Sequence, residues 1–188
     1  TYHEFGGTIT INGTGEVMNK TRIAQSFTTV GAVSVTQIQL YLAYIPSEYS
    51  NPAPASPAST TVRLRIYSDS NGSPGAQVAT GTIVMVKPYT ATMFVPYNAG
   101  WKTCTLTASL SASTKYWMSL ETETVSPQQD RVAWYSDPAT IYTDPCLIST
   151  TSTAAWGPWG GLATGHYFKI NTSGGPEYLT DKREDRRA

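Results

Sequence analysis

Apolar and polar positions alternate along three stretches of the chain. Ile38, Leu40 and Leu42 recur at every second residue, as do Val62, Leu64 and Ile66, and again Tyr116, Met118 and Leu120. A side-chain period of two belongs to β-strands, whose successive residues point to opposite faces of a sheet. A sheet with one apolar face must bury it, and two such sheets bury theirs against each other. The pattern therefore predicts an all-β fold, a two-sheet antiparallel β-sandwich with long irregular loops and little helix. No stretch of helical length carries an apolar period of three to four residues. With Phe168 and Ile170 from a last strand, these positions form the expected core.

Further strands are expected over residues 6–11, 16–18, 23–28, 33–44, 77–86, 101–106, 132–135 and 166–171. The turns between them carry their own chemistry. Asn12-Gly13 tolerates the positive φ angles of a tight hairpin, and Asp69-Ser70-Asn71-Gly72-Ser73-Pro74-Gly75 has turn-forming residues throughout. Pro46, Pro52, Pro54 and Pro57 remove backbone donors from residues 45–60, which reads as an extended surface loop. Residues 136–165 surround Pro138, Pro145 and the run Trp156-Gly157-Pro158-Trp159-Gly160-Gly161, and read as a second irregular region. Residues 172–188 read as an extended C-terminal tail, and the whole of 1–188 as a single β-sandwich domain.

Composition narrows the function. Of the 188 residues 40% are hydrophobic but only 14% are charged, and 13 basic residues balance 13 acidic ones. Seven charges fall together in the tail, at Asp181, Lys182, Arg183, Glu184, Asp185, Arg186 and Arg187, which leaves the body nearly uncharged. No basic face able to displace counterions from a nucleic-acid backbone is visible, so no nucleic-acid partner is expected. No apolar run is long enough to span a bilayer, and no membrane partner is expected. A mixed-sign tail can form charge-assisted bonds with a neighbour, which makes residues 181–187 a candidate assembly element.

At this point the residues carry a resemblance. The order Gln25-Ser26-Phe27-Thr28-Thr29, a long strand, Ile66-Tyr67-Ser68-Asp69-Ser70-Asn71-Gly72-Ser73-Pro74-Gly75, Val78-Ala79-Thr80-Gly81, then Leu110-Ser111-Ala112-Ser113-Thr114-Lys115-Tyr116-Trp117-Met118-Ser119-Leu120-Glu121 resembles a jelly-roll β-sandwich module of bacterial surface and phage-associated proteins. It is similar in layout to galactose-binding-like and carbohydrate-binding-module domains, over about residues 23 to 122. The resemblance implies adhesion, glycan binding or a building block of a virion or appendage, at the virion surface or outside the cell. It does not choose among them.

Candidate chemistry is sparse. The only histidines are His3 and His166, and no nucleophile elbow, zinc-binding His pair or Cys-x-x-Cys occurs, so no enzyme and no cofactor are expected. Asp69 and Asn71 offer oxygen ligands, but one carboxylate in a turn reads as turn chemistry and no metal is expected. Aromatic residues are better candidates, because sugar rings stack on Trp and Tyr. Trp156 and Trp159 in the Gly/Pro-rich region, with Tyr135, Tyr142 and Tyr49 nearby in loops or at a strand end, form either a glycan platform or a subunit interface or lid. Cys104 and Cys146 form either a disulfide or, since Cys104 shares a strand phase with Leu106, include an inert buried thiol. The expected function is a structural module that assembles with other subunits, as a homo-oligomer; the alternative is a carbohydrate-binding module.

Overall fold

The computed structural model describes residues 2–4, 13–17, 22–45, 59–86, 97–122, 131–137, 146–149, 156–158 and 165–173. Within these the chain is all strand and contains no helix. In chain order the strands are β1 (Tyr2–Glu4), β2 (Gly13–Val17), β3 (Arg22–Thr28), β4 (Val33–Ile45), β5 (Ser59–Ser70), β6 (Ser73–Val86), β7 (Tyr97–Leu110), β8 (Lys115–Thr122), β9 (Arg131–Asp137), β10 (Cys146–Ser149), β11 (Gly157–Pro158), β12 (Gly165–His166) and β13 (Phe168–Thr172).

They form two antiparallel sheets packed face to face, as the alternation predicts. A six-stranded sheet runs β11-β10-β3-β8-β5-β6, and a seven-stranded sheet is built around β4. One edge of β4 pairs with β7 along nearly its whole length, while its other partners are β13 near Ile38 and β9 near Ala43. The strand β12–β13 is broken at Tyr167, where it crosses from β9 to β4. The Tyr167 amide donates to the Tyr135 carbonyl at 2.9 Å, and the Tyr167 carbonyl accepts from the Tyr41 amide at 3.3 Å and the Trp134 Nε1 at 3.0 Å. The fork thus keeps its backbone groups paired where the ladder divides.

All eleven residues expected in the core are buried in one cluster, from Ile38 on β4 to Ile170 on β13. A shift in the β4–β7 register between Val35 and Gln37 lets Val35 and Ile38 both face inward despite their odd separation. One polar tie crosses this core. Gln25 on β3 accepts from the His166 amide on β12 through its Oε1 at 3.2 Å, linking the two sheets.

Several expectations are corrected in detail. The segment 136–165, expected to be mostly irregular, contains β10 and β11, which extend the six-stranded sheet beyond β3. Short strands with Gly, Pro and Cys carry too little alternation to stand out in sequence. The loop expected over 45–60 is shorter, because Ile45 closes β4 and Ser59 and Thr60 open β5; Thr172 likewise belongs to β13 rather than to a tail. Gly13 and Thr14 are strand residues paired with Ser136 and Tyr135, while Asn12 lies outside the described residues. A tight hairpin lies at Asn71-Gly72, with φ of 52° and 81° between Ser70 and Ser73, the positive pair that a type I′ turn requires.

Candidate functional site

Three surfaces collect the chemistry of the described residues. The first is the outer face of the six-stranded sheet. Register places Arg22, Glu121 and Arg63 side by side across β3, β8 and β5, then Ala24, Ser119 and Arg65, then Ser26, Trp117 and Tyr67. Glu121 is the hub. Its Oε2 accepts from Arg65 Nη1 at 2.7 Å, and its Oε1 accepts from the Tyr67 hydroxyl and from Ser119 Oγ, both at 3.0 Å. The Glu121 side chain is only 8% exposed, so its two oxygens find their donors out of water, while Arg65 remains 23% exposed. Burial raises the Tyr67 phenol above its usual value, opposed by its bond with Arg65, so it remains a proton donor to the carboxylate.

Beside this network Trp117 is fully buried and Trp156 is half-buried. Trp117 Nε1 donates to Asp69 Oδ1 at 2.7 Å, while Asp69 Oδ2 accepts from the Gly72 amide at 3.2 Å. The Asp69 carboxylate is thus committed to a tryptophan and a turn. Trp156 packs on the Ala24, Tyr67 and Trp117 cluster, and the Arg22 guanidinium lies 4.4 Å from its ring centroid. This packing and the cation contact together hold the ring to the sheet.

The second surface is the outer face of the seven-stranded sheet at the fork. Tyr135 is 1% exposed and packs with Ala43, Ala133 and Tyr167, with Tyr41 and Trp101 partly covered beside them. Tyr41 meets Trp101 and Tyr135 edge-on, each at a centroid distance of 5.5 Å, and Lys169 Nζ sits 4.1 Å from the Trp101 ring centroid. Burial, then Tyr41, pushes the Tyr135 phenol upward. Tyr41 and Trp101 escaped sequence reasoning because each lies inside a strand rather than in a loop. The signal was there: Tyr41 occupies the strand phase opposite Leu40 and Leu42, so an aromatic side chain had to leave the core.

The third surface is the edge of the six-stranded sheet. β6 pairs with β5 on one side, and no described strand pairs with its other side. Its residues Val78, Val84 and Val86 are 40%, 59% and 51% exposed. With Val30 they make up the exposed large hydrophobic residues among those described. β6 contains no charged residue from Ser73 to Val86. Beneath it Gly81 touches β7 so closely that a Cβ there would lie 2.5 Å from Cys104 Sγ and 2.8 Å from the Thr105 carbonyl oxygen. Near Val86 lies a groove of about 380 Å³ lined by Val84, Met85, Val86, Asn98, Ala99 and Lys102.

Of the residues singled out in the sequence, Trp156 and Tyr135 therefore lie on opposite sheets and do not share a site. Trp159, Tyr142, Tyr49 and the tail residues Asp181 to Arg187 lie outside the described residues. Cys104 is a free buried thiol whose pKa burial pushes up to about 11, the alternative to a disulfide; Cys146 sits on the other sheet with its backbone opposite Gln25. His166 is buried against Trp134, ring centroids 4.5 Å apart, and burial lowers its pKa to about 3. Neither group is poised as a nucleophile or a base at neutral pH. Among the described residues no group of His, Cys, Asp and Glu could hold a metal ion. No protein-family model matches the chain, and no curated protein matches it.

Proposed function

We propose that this chain is a non-enzymatic structural module of a virion or surface appendage, of the capsid-decoration or tail-accessory type, that works by assembling with neighbouring subunits. The observation that carries the reading is the β6 edge. Its outer side pairs with no described strand over 14 residues, carries no charge and exposes three valines. Proteins that stay monomeric blunt such edges with lysines, prolines inside the strand, bulges at the rim or short strands. Here the strand is long and neutral, and Pro74 and two bulges lie on its turn side, before Ala79, which leaves Ala79 to Val86 regular. A nearly uncharged body adds little electrostatic repulsion against close packing.

The carbohydrate-binding alternative draws on a different observation, the partly covered Tyr41–Trp101 pair beside Lys169. A tryptophan with a lysine against it suits a sugar bearing an acidic group. Against it, Lys169 already lies over the Trp101 ring and Arg22 over Trp156, so the described aromatic faces are engaged by the protein's own cations. Size-exclusion chromatography with light scattering across a wide range of concentration tests the choice. Assembly predicts masses that are multiples of the chain and rise with concentration. A persistent monomer that captures one class of glycan on an array overturns the assembly reading in favour of the alternative.

A further inference from the structure

We infer that β6 pairs antiparallel with β6 of a second copy of this chain about a two-fold axis centred on Thr82, joining the two six-stranded sheets into one. This rests on the assembly reading above and specifies its partner and register. The argument is self-complementarity. In an antiparallel pair centred on Thr82, residue numbers of opposed positions are mirror images about 82. On the outer face this sets Thr80 opposite Val84 and Thr82 opposite its own counterpart, within the regular stretch of β6 that runs from Ala79 to Val86 and ends at the bulge on Val78. Every outer-face pair is then β-branched with β-branched, the kind that packs best across strands.

The inner face agrees. The same register sets Ala79 opposite Met85 and Gly81 opposite Ile83; Ala79, Ile83 and Met85 are buried already, so the pairing would continue the apolar layer from one copy to the next. Moving the axis by one residue, to Gly81, keeps β-branched pairs on the outer face, Thr80 opposite Thr82, but sets glycine against glycine on the inner face and leaves a gap in the apolar layer. Charge gives no objection to self-pairing, because like charges directly opposite each other are what usually forbid it and β6 has none. A pairing related by a two-fold axis also closes on itself, with the same residues used by both copies.

Cysteine cross-linking reads the register directly. Opposed Cα atoms in an antiparallel pair lie about 4.5–5.5 Å apart, within disulfide range. Thr82→Cys is expected to give a covalent dimer under mild oxidation, whereas Thr80→Cys alone is not, because its counterpart is displaced by four residues along the strand. The double variant Thr80→Cys with Val84→Cys restores cross-linking. Val84→Lys, at an exposed position, is expected to disperse the assembly while leaving the circular-dichroism spectrum and melting temperature near those of the parent. If the parent assembles but Thr82→Cys does not cross-link, or Thr80→Cys does so instead, this register is wrong and the assembly reading stands on another surface. If assembly is then lost on removing residues 181–188, the tail is that surface. If the parent is a monomer at every concentration, both readings fall.

Discussion

His166 supplies the most quantitative test of the core. It lies with its backbone amide bonded to Gln25 Oε1 across the sandwich and its ring against Trp134, fully enclosed, and its pKa is lowered to about 3 from 6.5 by desolvation. In the unfolded chain the same imidazole takes up a proton near 6.5. Between these values the unfolded state binds more protons than the folded one, so stability is fully present above about pH 7.5 and declines as pH falls. The linkage relation gives a loss from this one group of about 1.4 kcal/mol by pH 5.5 and about 2.7 kcal/mol by pH 4.5, relative to pH 8. For a chain of this size the second figure corresponds to a shift in urea midpoint on the order of 1 M. Urea titrations of the parent and of His166→Gln at pH 8, 5.5 and 4.5 measure it, because every other titrating group is common to both proteins. The parent should lose stability more steeply than the variant by about these amounts. Equal slopes would show that His166 is hydrated or charged in the folded chain and that this part of the core is open to water.

Three further outcomes follow from particular contacts. Gly81→Ala would drive a methyl into the Thr105 carbonyl as well as the Cys104 thiol, so it should destabilise by about 1–3 kcal/mol in thermal or chemical denaturation, with at most partial rescue by Cys104→Ala; full rescue would show that the backbone contact is slack. Glu121→Ala leaves Arg65, Tyr67 and Ser119 without their shared acceptor in a half-enclosed site, and should cost about 2–3 kcal/mol, towards the low end for a broken buried pair because Arg65 remains 23% exposed; Glu121→Gln, which retains an acceptor, should cost less. Cys104, buried and with its pKa raised to about 11, should resist alkylation at pH 8 until urea unfolds the chain, as intact mass spectrometry would report; rapid native labelling at Cys104 would contradict its burial.

The fold was legible where strands are long and one-sided. Ile38 to Leu42 and Val62 to Ile66 each bury one face and leave the other partly open, and for such strands alternation and structure are the same information; Tyr116 to Leu120 turns the predicted face to the core although its other face, with Trp117 and Ser119, is buried too. It was less legible where geometry departs from strict alternation. The bulge near Thr36 reverses the phase of β4, and the fork at Tyr167 splits a strand between two partners, neither of which leaves a local mark. β10 and β11 are strands because of what lies beside them rather than by their own composition. The chemistry was harder still. Glu121 reads as one loop-proximal carboxylate among several in the sequence, yet it gathers Arg65, Tyr67 and Ser119 only because β5 and β8 are neighbours in a particular register. Loop position drew attention to Trp156 as an open aromatic, whereas Arg22 lies over its ring from an adjacent strand. The valines of β6 were equally visible as letters. Their meaning depends on β6 being the last strand of its sheet, which only topology reveals.

The claim that most needs testing is that the chain assembles through the outer edge of β6. Amides there whose N–H groups point away from β5 have no partner among the described strands and should exchange quickly with solvent in the isolated chain, whereas pairing with another copy would bury them in hydrogen bonds. Hydrogen–deuterium exchange followed by residue across a dilution series is the direct measurement. The account predicts that protection over residues 77–86 rises with protein concentration, while exchange in the core strands β4 and β8 stays constant. Exchange along β6 that is independent of concentration, in a sample that light scattering shows to be assembled, would contradict it.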